Sequence, residues 1–205
     1  MKQNQFLNYI PHALIYLRIV LAVCILLFAL FDTPQYPFLF CILIVTGIVT
    51  DIFDGIIARK VNISSPSLRI LDSNVDMIFW TSIFISAIIK FKPFFIQNAW
   101  WVFIVLLLEF ISYAISYIKF RKTIATHTIF AKVWAVTLLV FFIDLFYTGQ
   151  SGWAFFVCIA TGIVSRIEII GIILFLKQWE TDVPSLFSVN KLNKGEKIKR
   201  FKLFN

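Results

Sequence analysis

Residues 11–31 read PHALIYLRIVLAVCILLFALF, and the character of this stretch decides the fold. Only His12 and Arg18 interrupt its apolar residues. A helix rises about 1.5 Å per residue, so about 20 apolar residues cross the hydrocarbon core of a bilayer. The alternation of apolar and polar positions that marks a membrane β-strand is absent. The stretch is expected to be a membrane helix. It is long, carries Arg18 and has no small-x-small cleavage site, so it is not expected to be a removed signal segment.

Five more runs of this kind follow. With the first, they predict spans near 11–31, 37–59, 70–90, 97–118, 131–148 and 153–176, separated by Pro, Gly, Asn and charged residues. Composition agrees: 60 % of the 205 residues are hydrophobic, 24 are Phe, and the mean hydropathy is +0.88. The expected fold class is all-α, a polytopic membrane protein of six transmembrane helices with a polar site facing the cytoplasm. One membrane domain is expected over 1–180, followed by a basic cytoplasmic tail over 181–205. The tail either lies against an anionic leaflet or stays solvated.

Orientation follows from the basic residues. With the N-terminus inside, the cytoplasmic side holds Lys2, Arg59, Lys60, Arg69, Lys119, Arg121, Lys122 and every basic residue from Lys177 on. The outer side holds only Lys90 and Lys92, while Arg18, Lys132 and Arg166 fall within spans. Both termini are therefore expected in the cytoplasm. The net charge of +8 is in part this topology signal, and nucleic acid is not an expected partner. Cys24, Cys41 and Cys158 lie in apolar runs without metal-ligand spacing and read as packing residues.

Against this apolar background, residues 51–76, DIFDGIIARKVNISSPSLRILDSNVD, hold four of the chain's 11 acidic residues. On a helix, Asp51, Asp54, Gly55 and Ala58 share one face, and Asp72 and Asp76 are one turn apart on the next helix. A short loop joins the two helices, so they can run antiparallel with all four carboxylates at one depth near the cytoplasmic surface. Ionised groups there are costly without compensation. A divalent cation, or two, supplies it. An all-oxygen ligand set without His or Cys favours Mg²⁺ or Mn²⁺, and paired ions of this kind suit phosphoryl transfer. Gly55 and Ala58 remove bulk from the same face, which permits close approach of a ligand.

These residues resemble the signature of the CDP-alcohol phosphatidyltransferase family, D-x2-D-G-x2-A-R-x8-G-x3-D-x3-D. Asp51, Asp54, Gly55, Ala58, Arg59, Asp72 and Asp76 match it in type and spacing, and Leu68 stands where the family has its second glycine. The resemblance implies a membrane enzyme of phospholipid biosynthesis. It would move a phosphatidyl group, or a related phospho-alcohol, from a CDP-linked lipid to an alcohol and release CMP. Carried over by position, Asp51, Asp54, Asp72 and Asp76 would hold two Mg²⁺ or Mn²⁺ ions. Asp76 would also act as general base, and Asp51, Gly55, Ala58 and Arg59 would take the CDP moiety. Members of the family are often homodimers. With Leu68 in place of glycine, an altered nucleotide fit or a divergent substrate is expected.

Other polar residues in the spans invite roles. Arg18, Lys132 and Arg166 are candidates for binding phosphate, which leans the acceptor towards glycerol 3-phosphate. Glu109 reads as a buried interhelical partner and Asp144 as structural. His12 and His127 read as interfacial, and Trp100, Trp101 and Trp153 to Phe156 as an outer aromatic belt. Two readings compete with the enzyme. Paired intramembrane acids could carry divalent cations, and Leu68 could mark a catalytically silent member of the family.

Overall fold

Six long helices carry the chain, with no strand among the described residues. The structure is a computed structural model; it describes residues 2–31, 36–61, 66–122, 128–180 and 183–196. The helices are α1 (Lys2–Leu30), α2 (Tyr36–Lys60), α3 (Pro66–Lys90), the short α4 (Lys92–Gln97), α5 (Ala99–Phe120), α6 (Ile129–Thr148) and α7 (Trp153–Phe175). A 3₁₀ turn (Leu186–Ser188) and the short α8 (Val189–Asn193) follow. Among the described residues, five helices are long and apolar enough to cross a membrane: α1, α2, α5, α6 and α7. At 25 residues α3 is as long as α2, but Asp72, Ser73, Asn74 and Asp76 dilute its apolar character. The expected span that falls short of this measure is the third, α3, which carries Asp72 and Asp76 of the signature. The chain is an integral membrane protein of the all-helical class.

Helix boundaries differ from the expected spans where proline was taken for a break. Pro66 is the first residue of α3, and Pro93 the second of α4. In the first turn of a helix the missing N–H has no intrahelical acceptor to lose, so proline is tolerated there. Pro11, in contrast, lies inside α1. The helix runs through it from Lys2, which sets Arg18 sixteen residues, about 24 Å, from the helix start.

The chain divides into two compact units, 1–94 with 142–150, and 95–141 with 151–205. In the first, α1 packs along both α2 and α3. Its buried stripe is Ile15, Arg18, Ala22, Ile25 and Ala29, a heptad-like spacing whose two alanines let helices approach closely. Direct contact of α2 with α3 runs through Gly47, where the Phe79 ring fills the space a side chain would take. Ser86 Oγ of α3 donates to Ile25 O of α1 at 3.3 Å. At the far end of these helices, Phe146 stacks on Phe40 and meets Phe91 edge-to-face. Lys90 Nζ donates to Phe31 O and lies 4.5 Å above the Tyr36 ring.

In the second unit α5 packs along α7. The Trp134 ring of α6 lies against Gly162 of α7, and Thr137 and Thr161 join the same two helices by a 2.7 Å hydrogen bond. Lys119 Nζ donates to Ile173 O and Leu174 O, so a cation caps the last carbonyls of α7. Residues 183–196 fold back onto that helix end. Val183 and Val189 are buried against Ile172 and Leu176, and Asn193 Nδ2 donates to Phe175 O. Part of the basic segment is therefore packed; residues 197–205 lie outside the described residues.

Candidate active site

The four aspartates converge. Asp51 lies nine residues before the end of α2, and Asp76 ten residues after the start of α3. Both distances are about 14–15 Å along the helix, so the antiparallel pair brings the acids to one level. Asp54 is buried, whereas Asp51, Asp72 and Asp76 keep about 42 %, 34 % and 35 % of their side-chain surface exposed. The site has a closed floor at Asp54 and an open side formed by the other three.

Arg18 of α1 stands in the middle. Its side chain is fully buried. Nη1 donates to Asp51 Oδ1 at 2.9 Å and to Asp76 Oδ1. Nη2 donates to Asp54 Oδ2 and to Asp72 Oδ1. Nε is buried and has no hydrogen-bond partner among the described residues. The acids were expected to face one another directly across α2 and α3. Instead a third helix enters between them and its guanidinium bridges all four. The Arg18 side chain is enclosed among the helices and engaged by all four acids. The spacing of Ile15, Ala22, Ile25 and Ala29 carried the signal for this, since residue 18 completes the same heptad.

Asp51, Asp72 and Asp76 each present a carboxylate oxygen, and the three oxygens lie within 4.8 Å of one another. A hard, all-oxygen donor set of this kind fits a divalent cation such as Mg²⁺ or Mn²⁺. Asp54, on the floor, is not in that group of three.

Gly55 is half-buried beside Asp51 and Asp54. Ala58 also packs between helices. It is buried in a cluster with Ile15 of α1 and with Leu68 and Val75 of α3. Leu68 is only 7 % exposed and fills the space between three helices. The residue that departs from the signature is thus a packing residue for its neighbour Ala58. The side chain of Arg59 lies outside the described residues.

The other candidates lie in the second unit. Lys132 is half-buried in the first turn of α6. Arg166 of α7 forms an ion pair with Glu109 of α5, Nε to Oε2 at 2.8 Å, and its guanidinium lies 4.5 Å over the Trp134 ring. Glu109 is the interhelical partner it was expected to be. Glu168, two residues along α7, is half-buried. His12 is exposed, and His127 lies outside the described residues. Trp100, Trp101, Trp153 and Phe156 are exposed on the outer surface of their helices.

No curated protein and no solved structure matches the chain. A family model does, and over most of its length: residues 8–174 match that of the CDP-alcohol phosphatidyltransferases. The match begins before Arg18 on α1 and ends within the last turn of α7, so it covers all the helices that build the acidic site. With seven signature positions in register and their carboxylates drawn together, the chain belongs to the CDP-alcohol phosphatidyltransferase family.

Proposed function

We propose that this chain transfers a phosphatidyl or similar phospho-alcohol group from a CDP-linked lipid to an alcohol, at the cytoplasmic face of the membrane. The observation that carries the proposal is the convergence of Asp51, Asp54, Asp72 and Asp76 from two helices of the family signature. Asp51, Asp72 and Asp76, with Asp54 behind them, would hold one or two Mg²⁺ or Mn²⁺ ions. Such ions, when bound, neutralise the diphosphate oxygens and favour the leaving phosphate.

The chain's own residues supply the rest. The acceptor hydroxyl oxygen attacks the lipid-side phosphorus of the diphosphate. A new P–O bond forms, and the bond from that phosphorus to the bridging oxygen breaks. CMP leaves with the bridging oxygen and its electron pair. Asp76 takes the hydroxyl proton, since its exposed carboxylate on the open side can come within hydrogen-bond reach of an acceptor. Asp51, Gly55, Ala58 and Arg59 form the part of the site nearest the CDP moiety. Lys132 is the candidate for an acceptor phosphate, in keeping with glycerol 3-phosphate as acceptor. Arg166 is engaged by Glu109, which weighs against a phosphate role for it.

On this reading residues 1–180 are the catalytic membrane domain, and the basic segment 181–205 extends it in the cytoplasm with the N-terminus on the same side. A homodimer follows from the family habit. A buried guanidinium among the acids weighs against a cation-transport path, because a passing ion would meet its charge. The test is incubation of the purified chain with a CDP-lipid, Mg²⁺ or Mn²⁺ and a panel of alcohols that includes glycerol 3-phosphate. CMP release with one acceptor is the expected result. Its absence with every acceptor refutes the transferase reading and leaves the catalytically silent alternative.

A further inference from the structure

We propose that Arg18 is a built-in counter-ion of the acidic site, which holds the four carboxylates together until divalent ions take them over. The inference rests on reading those aspartates as the divalent-ion site. Three features of the molecule carry it.

First, Arg18 contacts every acid. One nitrogen of its fork serves Asp51 and Asp76, the other Asp54 and Asp72, so a single residue of α1 ties α2 to α3. Second, the residue is fully buried, in the centre of the stripe through which α1 packs. Its charge has no access to water, and the carboxylates are what stabilise it, as it stabilises them. Third, the carboxylates that Arg18 holds include all three whose oxygens group within 4.8 Å. A divalent ion bound there would draw on the same carboxylates and bring like charge within a few ångströms of the guanidinium. Each therefore weakens the other. The unpartnered Nε–H leaves Arg18 one donor for an anionic oxygen, which a bound diphosphate would supply once ions have loosened the fork.

Arg18 thus separates folding from metal loading. A cluster of four acids with no internal cation would need its ions to stay assembled. With Arg18 the site assembles without them, at the cost of binding them less tightly.

The experiment compares the full chain with Arg18→Gln and Arg18→Lys, each in lipid nanodiscs. Melting is followed in EDTA and in excess Mg²⁺, and Mn²⁺ binding by electron paramagnetic resonance. The native chain is expected to melt at nearly the same temperature in both buffers. Arg18→Gln should melt lower in EDTA, recover in Mg²⁺, and bind Mn²⁺ roughly tenfold more tightly, the effect of removing one nearby charge. Equal Mn²⁺ affinity and equal Mg²⁺ dependence for native and Arg18→Gln would overturn the proposal while leaving the metal site intact. Absence of Mn²⁺ binding to both would overturn the metal site itself. Should Arg18→Gln not fold in either buffer, Arg18→Lys decides, because a single ammonium cannot bridge four carboxylates. Mn²⁺ affinity above native supports the counter-ion role, and unchanged affinity refutes it.

Discussion

Leu68 offers the sharpest test of how this site is built, because the family signature has glycine there and the structure gives leucine a job. Leu68 is 7 % exposed and packs against Ile15, Ala58 and Val75, with Ile19 and Leu71 at the edge of the cluster. Truncation to alanine in soluble cores costs about 2–5 kcal/mol, part transfer and part cavity. Here the transfer share shrinks, since lipid tails are as apolar as leucine and helix association rests on packing. Leu68→Ala therefore belongs at the lower end, about 2 kcal/mol. Leu68→Gly adds about 1 kcal/mol for glycine inside a helix, which makes about 3 kcal/mol, more than a hundredfold in the folding equilibrium. Reversible unfolding in mixed micelles, followed by tryptophan fluorescence, measures both variants, and CMP release is read on the same samples. The expected order of stability is native, then alanine, then glycine, with CMP release retained wherever the chain is folded. If the glycine variant is as stable as native and turns over faster, leucine crowds a ligand instead of joining helices, and the packing argument fails.

Other perturbations follow from the same contacts. Asp76→Asn keeps the shape but cannot take a proton, so CMP release should fall by about 10²–10⁴-fold with an unchanged circular dichroism spectrum; normal turnover would remove Asp76 as base. In Gly47→Ala the new Cβ would lie 2.1 Å from Phe79 Cζ. α2 and α3 must then separate, at a cost of about 1–3 kcal/mol, and both melting temperature and CMP release should drop; a native-like melt would show that Phe79 rotates away freely. Glu109→Gln leaves Arg166 without its counter-charge and should destabilise by about 3 kcal/mol, whereas the double change to Met at 109 and 166 should restore most of it. Equal loss in the single and double variants, measured by the same micelle unfolding, would show that an uncompensated Arg166 charge is not its cause.

Much of this was legible in the sequence. Apolar runs near 20 residues dictate helices in a bilayer, because no other structure of that length satisfies its own backbone there. The expected spans agree with the observed helices to within a few residues except at prolines. Pro11 misled because the helix continues on its N-terminal side, and Pro66 because a helix may start on a proline. The acidic spacing foretold that Asp51 and Asp54 would share a face, and Asp72 and Asp76 theirs. Glu109 was expected to have an interhelical partner, but which residue that would be could not be read: Arg166 is 57 positions away in the chain, and only the approach of α5 to α7 brings the two together.

The sequence by itself determined which segments are helices and which faces carry acids, since both follow from spacing along one helix. What stands between those faces was decided by tertiary structure alone. Arg18 reaches Asp51 across 33 positions and Asp76 across 58, and Leu68 meets Ala58 and Ile15 from separate helices. These meetings depend on which helix packs into the gap between α2 and α3. That choice is made by the fit of α1's buried stripe against both of them at once; the heptad spacing shows which face of α1 is buried, but not which helices that face meets.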